Sequence, residues 1–233
     1  MEYKLSPSEL TFLYNECKRC FYLKKVHNIS QPSIPLPSVF SKIAGLLKDY
    51  YDGKRTEELH PNLPPGTVKY GEKFIESQNI CLLGHNDTCY IKGRFDVVIE
   101  FDDGTYGVID YKTSNPESEY SELYSRQLHA YAYTLENPAS GSLELTPVSM
   151  LGLLYFYPSQ VSQENIEWIS YNSKIHLINL ERDDQAFLNF IEEVLTQLES
   201  SHLPEAASDC KWCKYIKEIY RIEEDRGERK PKN

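Results

Sequence analysis

Two cysteine pairs and a set of two carboxylates with a lysine are the residues of this 233-residue chain whose types and spacing could do chemistry. Cys17-Lys-Arg-Cys20 and Cys210-Lys-Trp-Cys213 are each spaced to let two thiolates reach one metal. Four soft ligands in two pairs suit zinc or an iron–sulfur cluster, and their positions near opposite ends suggest a clasp joining the termini. Cys81 and Cys89 lack that spacing and read as small buried residues of a sheet. In the second set, alternation puts Arg94, Asp96, Val98 and Glu100 on one face of an extended run, while Val108, Asp110 and Lys112 share a face of the next. Two aspartates within reach of each other repel unless a cation or proton separates them, and a neighbouring lysine can then position or activate a metal-bound water. That describes a hydrolytic metal site. From these three residues alone, a solvent-facing row carrying an Asp–Lys ion pair is the competing reading.

The elements that must position these residues follow from periodicity. A helix is expected from Ser6 or Ser8, with Leu10, Leu13, Tyr14 and Cys17 at helical spacing, then a proline-rich loop over 31–38 and a second helix through Phe40, Ile43, Ala44, Leu47 and Tyr51 that stops at Gly53. Residues 70–77 lean towards helix on their Lys and Glu content. Residues 90–101 and 105–112 alternate as two strands of one hairpin, 120–135 returns to helical period, and 148–157 and 166–178 read as strands. An amphipathic helix spans 183–199 through Phe187, Phe190, Ile191, Val194 and Leu198, and a short helix after Cys213 reaches about residue 224. The loop Asp102-Asp103-Gly104 decides the register. A two-residue turn would set Asp96 opposite Tyr111, whereas a three-residue loop with Gly104 left-handed pairs Phe101 with Thr105, sets Asp96 across from Asp110, and Arg94 across from Lys112.

Composition narrows the class. Hydrophobic residues make up 40% and charged residues 26%, which excludes a disordered or fibrous chain. The balance of 25 Lys plus Arg against 35 Asp plus Glu gives −10, arguing against a protein that coats nucleic acid along its whole surface but leaving room for a local basic groove. The basic clusters at Lys18, Arg19, Lys24, Lys25 and at Arg226, Arg229, Lys230, Lys232 are candidates for one, the second reading better as a frayed tail. The longest apolar stretch, 148–157, is about half of what a membrane span needs, and no basic-then-apolar leader opens the sequence, so the expectation is a cytoplasmic protein with no membrane partner.

Three runs in order carry a resemblance: Gly93-Arg94-Phe95-Asp96-Val97-Val98, then Val108-Ile109-Asp110-Tyr111-Lys112-Thr113-Ser114, then Gln127-Leu128-His129-Ala130-Tyr131. Together they resemble the three motifs of RecB-type nucleases in the PD-(D/E)XK superfamily, over about Ser6 to Tyr220. The resemblance implies an α/β restriction-endonuclease-like fold, a central mixed sheet flanked by helices. It further implies that Asp96, Asp110 and the Tyr111 backbone carbonyl hold magnesium or manganese, that Lys112 acts on the attacking water, and that Gln127 and Tyr131 orient the lysine or the DNA. The opening Leu5-Ser6-Pro7-Ser8, with Cys17 and Phe21-Tyr22, is similar to the iron–sulfur branch of that family, the CRISPR-associated RecB-like exonucleases and AddB-type nucleases, implying a 4Fe-4S cluster on Cys17, Cys20, Cys210 and Cys213, with zinc as the alternative. That branch places one cysteine early and three late; this chain has two and two. Relatives also carry a histidine ligand a few residues after a glycine in the helix before the sheet, where this chain has Lys48 and Asp49 after Gly45.

The expectation is therefore a metal-dependent deoxyribonuclease, an exonuclease acting on DNA that is single-stranded or has single-stranded ends, in repair, recombination or CRISPR adaptation. A decayed iron–sulfur or zinc module that binds DNA or serves as a scaffold is the alternative. One domain is expected over 1–233, with 1–30 and 200–224 forming the cysteine region and 225–233 a tail.

Overall fold

The computed structural model describes residues 1–32, 37–116 and 121–227. Two mixed sheets carry the fold, flanked by helices. The smaller has strand order β1-β4-β3, with β1 (Glu2–Leu5) parallel and β3 (Lys73–Glu76) antiparallel to β4 (Thr88–Phe95). The larger has order β2-β5-β6-β7-β8, in which β2 is Gly66–Tyr70, β5 Val97–Phe101, β6 Tyr106–Lys112, β7 Val148–Gln163 and β8 Ile169–Leu180. Its neighbours are antiparallel except β6 and β7, which run parallel with helix α5 (Ser121–Glu136) between them in sequence. Parallel neighbours need such a crossover, which explains the helix between two strands.

Residues 7–16 are helical, with a π-turn at Glu9–Leu13 running into α1 (Tyr14–Glu16). Ser6 and Glu9 satisfy each other's backbone: Glu9 N donates to Ser6 Oγ at 3.3 Å and Ser6 N to a Glu9 carboxylate oxygen at 3.2 Å, a reciprocal cap. Then follow α2 (Lys18–Val26), α3 (Ser38–Tyr51) and α4 (Thr56–Leu59). At the C-terminal end lie α6 (Asp184–Glu199), capped by the Asp183 carboxylate accepting from Ala186 N at 2.8 Å, and α7 (Lys211–Gly227).

Both faces of the large sheet are covered, so its inner strands are apolar almost continuously. On one face Leu128, Tyr131 and Leu135 of α5 pack with Val98, Val108 and Leu153. On the other, Val97, Ile99 and Ile109 meet Tyr51 of α3 and Leu59 of α4. A third core joins the small sheet to the terminal helices, Leu5 and Ile91 against Phe21, Ile191 and Leu195. Burying each such aliphatic side chain contributes roughly 1.5–3 kcal/mol.

Several expectations change. Within 70–77 there is no helix: Tyr70 ends β2, Gly71 and Glu72 turn, and Lys73–Glu76 pairs with β4 with Ile75 buried and Phe74 pointing out, so pairing outweighs the weak helical preference of Lys and Glu. The run 90–101 is two strands, since the chain leaves the small sheet at Phe95 and enters the large one at Val97, with Asp96 at the junction. Arg94 therefore pairs with Phe74 and does not face Lys112. Strand β1 has no counterpart among the expected elements, β7 runs six residues past Tyr157, and β8 begins at Ile169 instead of 166. Cys89 is buried as expected but Cys81 is exposed. Part of the 31–38 loop, Tyr120 and residues 228–233 lie outside the described residues, and α7 continues beyond 224 to Gly227.

The three-residue loop is present. Phe101 N donates to Thr105 O at 2.9 Å and Gly104 N to Phe101 O at 3.0 Å, with Gly104 at φ +85°. Glu100 pairs with Tyr106 and Val97 with Ile109, the register that, continued one residue past the last pair, carries Asp96 towards Asp110. A β-branched residue at Gly104 must adopt the left-handed region at a cost of about 1–2 kcal/mol. Gly104→Val is expected to lose that much stability in urea unfolding, and Gly104→Asn clearly less.

Candidate active site and cysteine centre

Asp96 sits where one sheet hands the chain to the other. Its Oδ2 accepts from Tyr111 N at 3.1 Å, a bond that extends the β5–β6 register past the last regular pair and fixes the carboxylate beside β6. Its Oδ1 accepts from Lys48 Nζ of α3 at 2.7 Å, and Lys48 also pairs with Glu72, which meets Arg94 at 3.0 Å. Asp110 is buried, with Oδ1 accepting from Gln127 Nε2 at 3.2 Å and Oδ2 lying 2.5 Å from Lys112 Nζ. That contact is a short ion pair, and Lys112 is the partner of Oδ2 among the described residues. Lys112 Nζ lies 3.8 Å from the centre of the Tyr124 ring, which supports the ammonium by a cation–π contact.

Helix α5 arranges the rest. Tyr124, Gln127 and Tyr131 fall on one face at spacings of three and four residues. Gln127 Nε2 also reaches Tyr131 Oη at 3.4 Å, and Tyr131 Oη donates to Arg94 O at 2.8 Å, tying the helix to the residue two before Asp96. The ring needs space over β4, and Gly93 provides it. A Cβ there would lie 3.2 Å from Tyr131 Cε1 and 2.7 Å from Pro7 Cδ.

Of the residues named from sequence, Asp96, Asp110, Lys112, Gln127 and Tyr131 come together, with the Tyr111 backbone between the acids. Sequence reasoning missed Tyr124, which the α5 stripe could have shown, and Glu72, which no spacing signals. Of the two residues that follow Gly45 at the place of the relatives' histidine, Asp49 is exposed and Lys48 reaches the site. Lys18 pairs with Glu193, and Lys24 and Lys25 share Glu9, while Arg19 donates to Pro204 O, so the N-terminal basic cluster is neutralised only in part. Basic side chains also gather around a cavity of about 740 Å³ near Asp96, where Lys48, Lys69, Lys73 and Arg94 stand against Asp49, Asp52 and Glu72.

Electrostatics bear on what the site can hold. Burial pushes the Asp110 carboxyl up to about 6, Lys112 pulling it back and Asp96 adding to the rise. Burial works against the Lys48 charge, but the Asp96 and Glu72 carboxylates outweigh it and hold the ammonium above its ordinary range. Two neighbouring carboxylates, one of them buried, are a hard-oxygen donor set that suits a divalent cation, with the Lys48 and Lys112 ammonium groups as its competitors.

The four cysteines also converge. Cys17, in extended conformation, precedes α2 and Cys20 lies in its first turn; Cys210 and Cys213 stand in the same relation to α7. Two helix N-termini thus aim at one point, and their dipoles favour thiolates there. The sulfur separations are 3.8 Å for Cys17–Cys213 and Cys20–Cys210 and 3.5 Å for Cys20–Cys213, and the four sulfurs all lie within 4.8 Å of one another. Burial works to raise the Cys17 thiol, but hydrogen bonds from the Ala207 and Cys20 backbone bring it to about 7, while burial pushes Cys20 up to about 11. Four thiolates this close need a cation between them, and the group can bind a metal.

With fold and site in view, the comparisons follow. The PD-(D/E)XK nuclease superfamily profile matches residues 53–217, and the chain belongs to that superfamily, whose members typically hydrolyse phosphodiester bonds with the help of a divalent metal. No curated protein matches in sequence. A solved structure titled "Crystal structure of SSO0001" aligns over 91% of this chain and 84% of its own, at 16% identity and a TM-score of 0.44. Among the described residues no helix is long and apolar enough to cross a membrane.

The raised Asp110 pKa gives a signed expectation. Below the unfolded value of 3.8 the group is protonated in both states and costs nothing. As pH rises through about 6 the folded protein must ionise a buried carboxyl and loses stability, by on the order of 1–3 kcal/mol. In EDTA, Asp110→Asn is therefore expected to be more stable than wild type at pH 7 to 8, the gain fading as pH falls towards 4. Denaturant midpoints across that range check it.

Proposed function

We propose that the chain is a metal-dependent deoxyribonuclease of the RecB type that hydrolyses DNA phosphodiester bonds at Asp96, Asp110 and Lys112. The register that brings Asp96 towards Asp110, with Lys112 at Asp110, carries this reading. Asp96, Asp110 and the Tyr111 backbone carbonyl would hold magnesium or manganese. A divalent ion so held supplies a polarised phosphate and a water of lowered pKa. The chain's own groups do the rest. Gln127 fixes one oxygen of Asp110, leaving the other turned to Lys112, and Tyr124 holds the Lys112 ammonium where it can orient a water. Tyr131 anchors Arg94 and with it the junction at Asp96. The basic lining beside Asp96 gives a chain of net charge −10 a local surface for a phosphate backbone. An exonuclease acting on single-stranded ends, cytoplasmic, in repair, recombination or CRISPR adaptation, is the finer form of this reading.

For the cysteine centre we favour zinc over a 4Fe-4S cluster. A tetrahedral ion with Zn–S bonds of about 2.3 Å sets its sulfurs about 3.8 Å apart; two of the separations sit at that value, Cys20–Cys213 is shorter at 3.5 Å, and none exceeds 4.8 Å. A four-iron cube takes one thiolate at each iron and spreads the sulfurs further. The resemblance of the N-terminal segment to the iron–sulfur branch favours the cluster. Metal analysis with a visible spectrum decides: colourless protein with a single zinc per chain is expected, and brown protein with iron and sulfide would reverse the assignment.

Labelled single- and double-stranded DNA incubated with manganese tests the activity. Asp96→Ala and Lys112→Ala are each expected to lower cleavage at least about a hundredfold while retaining DNA binding. A second reading, a DNA-binding module with an inactive site, is favoured by the Lys48 ammonium seated on Asp96; wild-type protein that binds DNA but never cuts it would establish that reading.

A further inference from the structure

Lys48 is held more firmly than a surface lysine. Its side chain is 13% exposed and it lies between two acids, 2.7 Å from Asp96 Oδ1 and in contact with Glu72. An ammonium carries three donors, and the described residues take two of them. The third is free on the wall of the cavity that Lys69, Lys73 and Arg94 also line. The charges nearby balance: Asp96, Asp110 and Glu72 stand against Lys48, Lys112 and Arg94. Asp96 has both oxygens engaged, one by Lys48 and the other by the Tyr111 amide, and so has Asp110, by Gln127 and by Lys112 at 2.5 Å; but among the described residues Lys112 is held by one carboxylate and Lys48 by two. A divalent ion drawn to the Asp110 side therefore competes with the more weakly held ammonium. A second ion on the far side of Asp96 would have to displace an ammonium that two carboxylates hold, or sit within a few ångströms of it and be repelled.

We propose that Lys48 is a catalytic residue and the site's built-in second cation: one divalent ion works on the Asp110 side, while the Lys48 ammonium, fixed by Asp96 and Glu72, gives its third N–H to a non-bridging oxygen of the phosphate. This rests on the nuclease reading above. It assigns Glu72 the task of holding Lys48 in place, and it explains why two acids so close to each other are each matched by a lysine from a different element. The substrate group that fits is a phosphodiester presented along the basic side of the cavity, its charge shared between the ion and Lys48.

Manganese titration of the full-length protein, its cysteine centre filled, tests this by calorimetry and by the electron paramagnetic resonance of free manganese, with cleavage measured alongside. Wild type is expected to bind one manganese that Asp110→Asn removes. Lys48→Gln is expected to bind a second ion, or the first at least about tenfold more tightly, because a like charge has been taken away. The same variant should cleave at least about tenfold more slowly at saturating manganese, while Lys48→Arg keeps the wild-type stoichiometry and cleaves faster than Lys48→Gln. Lys48→Met serves in its place if the glutamine variant does not fold. Asp110-dependent manganese binding that is the same in wild type and Lys48→Gln would overturn the Lys48 proposal alone, as would undiminished cleavage by that variant. Wild type with no Asp110-dependent manganese would instead overturn the nuclease reading, and this inference with it.

Discussion

Asp96 and Asp110 are brought together at the edge of a buried sheet, where burial and then the Asp96 charge raise the cost of ionising Asp110. The rest of the site is arranged around that repulsion. Lys48 and Lys112 arrive from different elements, each at hydrogen-bond or ion-pair distance from one acid. The Tyr111 amide takes a second oxygen of Asp96 at the point where the regular ladder ends. Gln127 takes one oxygen of Asp110, and Tyr131 secures the Arg94 carbonyl so that the junction between the sheets cannot slide. In surroundings of low dielectric such contacts are stronger than in water, and an oxygen left without one is correspondingly costly. Asp110 Oδ2 has the Lys112 ammonium at 2.5 Å, at the place where a metal-dependent hydrolase would need its ligand.

The cysteine centre is a separate device with a different role. It joins residues about 190 apart in sequence, drawing the first turns of α2 and α7 together. Closing so long a loop through a bound ion restricts the unfolded chain and so favours the folded one. The four cysteines lie apart from the acids, so a metal at the one centre would serve stability and a metal at the other would serve chemistry.

Much of the site was legible in the sequence because it rests on short-range rules. A Gly at the end of a three-residue loop fixes one register, and that register alone brings the two acids together. The Gln127 and Tyr131 spacing fixes one helix face. The cysteine spacing announces a shared ligand set, although only three-dimensional separations speak to which metal. What stayed hidden was long-range. Alternation runs unbroken through Asp96, so nothing local marks the switch from one sheet to another. Residues 70–77 carry charged side chains because they form an edge strand with one face in water, and that composition reads as helix. Lys48 and Glu72 are unremarkable in sequence and acquire their meaning only when α3 and the turn before β3 fold against Asp96. The outer half of the β7–β8 hairpin, with Ile166 94% and Trp168 67% exposed, gave no sign in its pattern that it would extend past the core.

The account stands on a divalent ion held jointly by Asp96 and Asp110. Anomalous diffraction from crystals grown with manganese, measured at the manganese edge, reads this directly. The account predicts one strong peak within coordinating distance of both carboxylates and of the Tyr111 carbonyl, on the Asp110 side, with Lys48 still on Asp96. Density between the acids that remains empty at saturating manganese, with the DNA-cleaving activity absent, would contradict it.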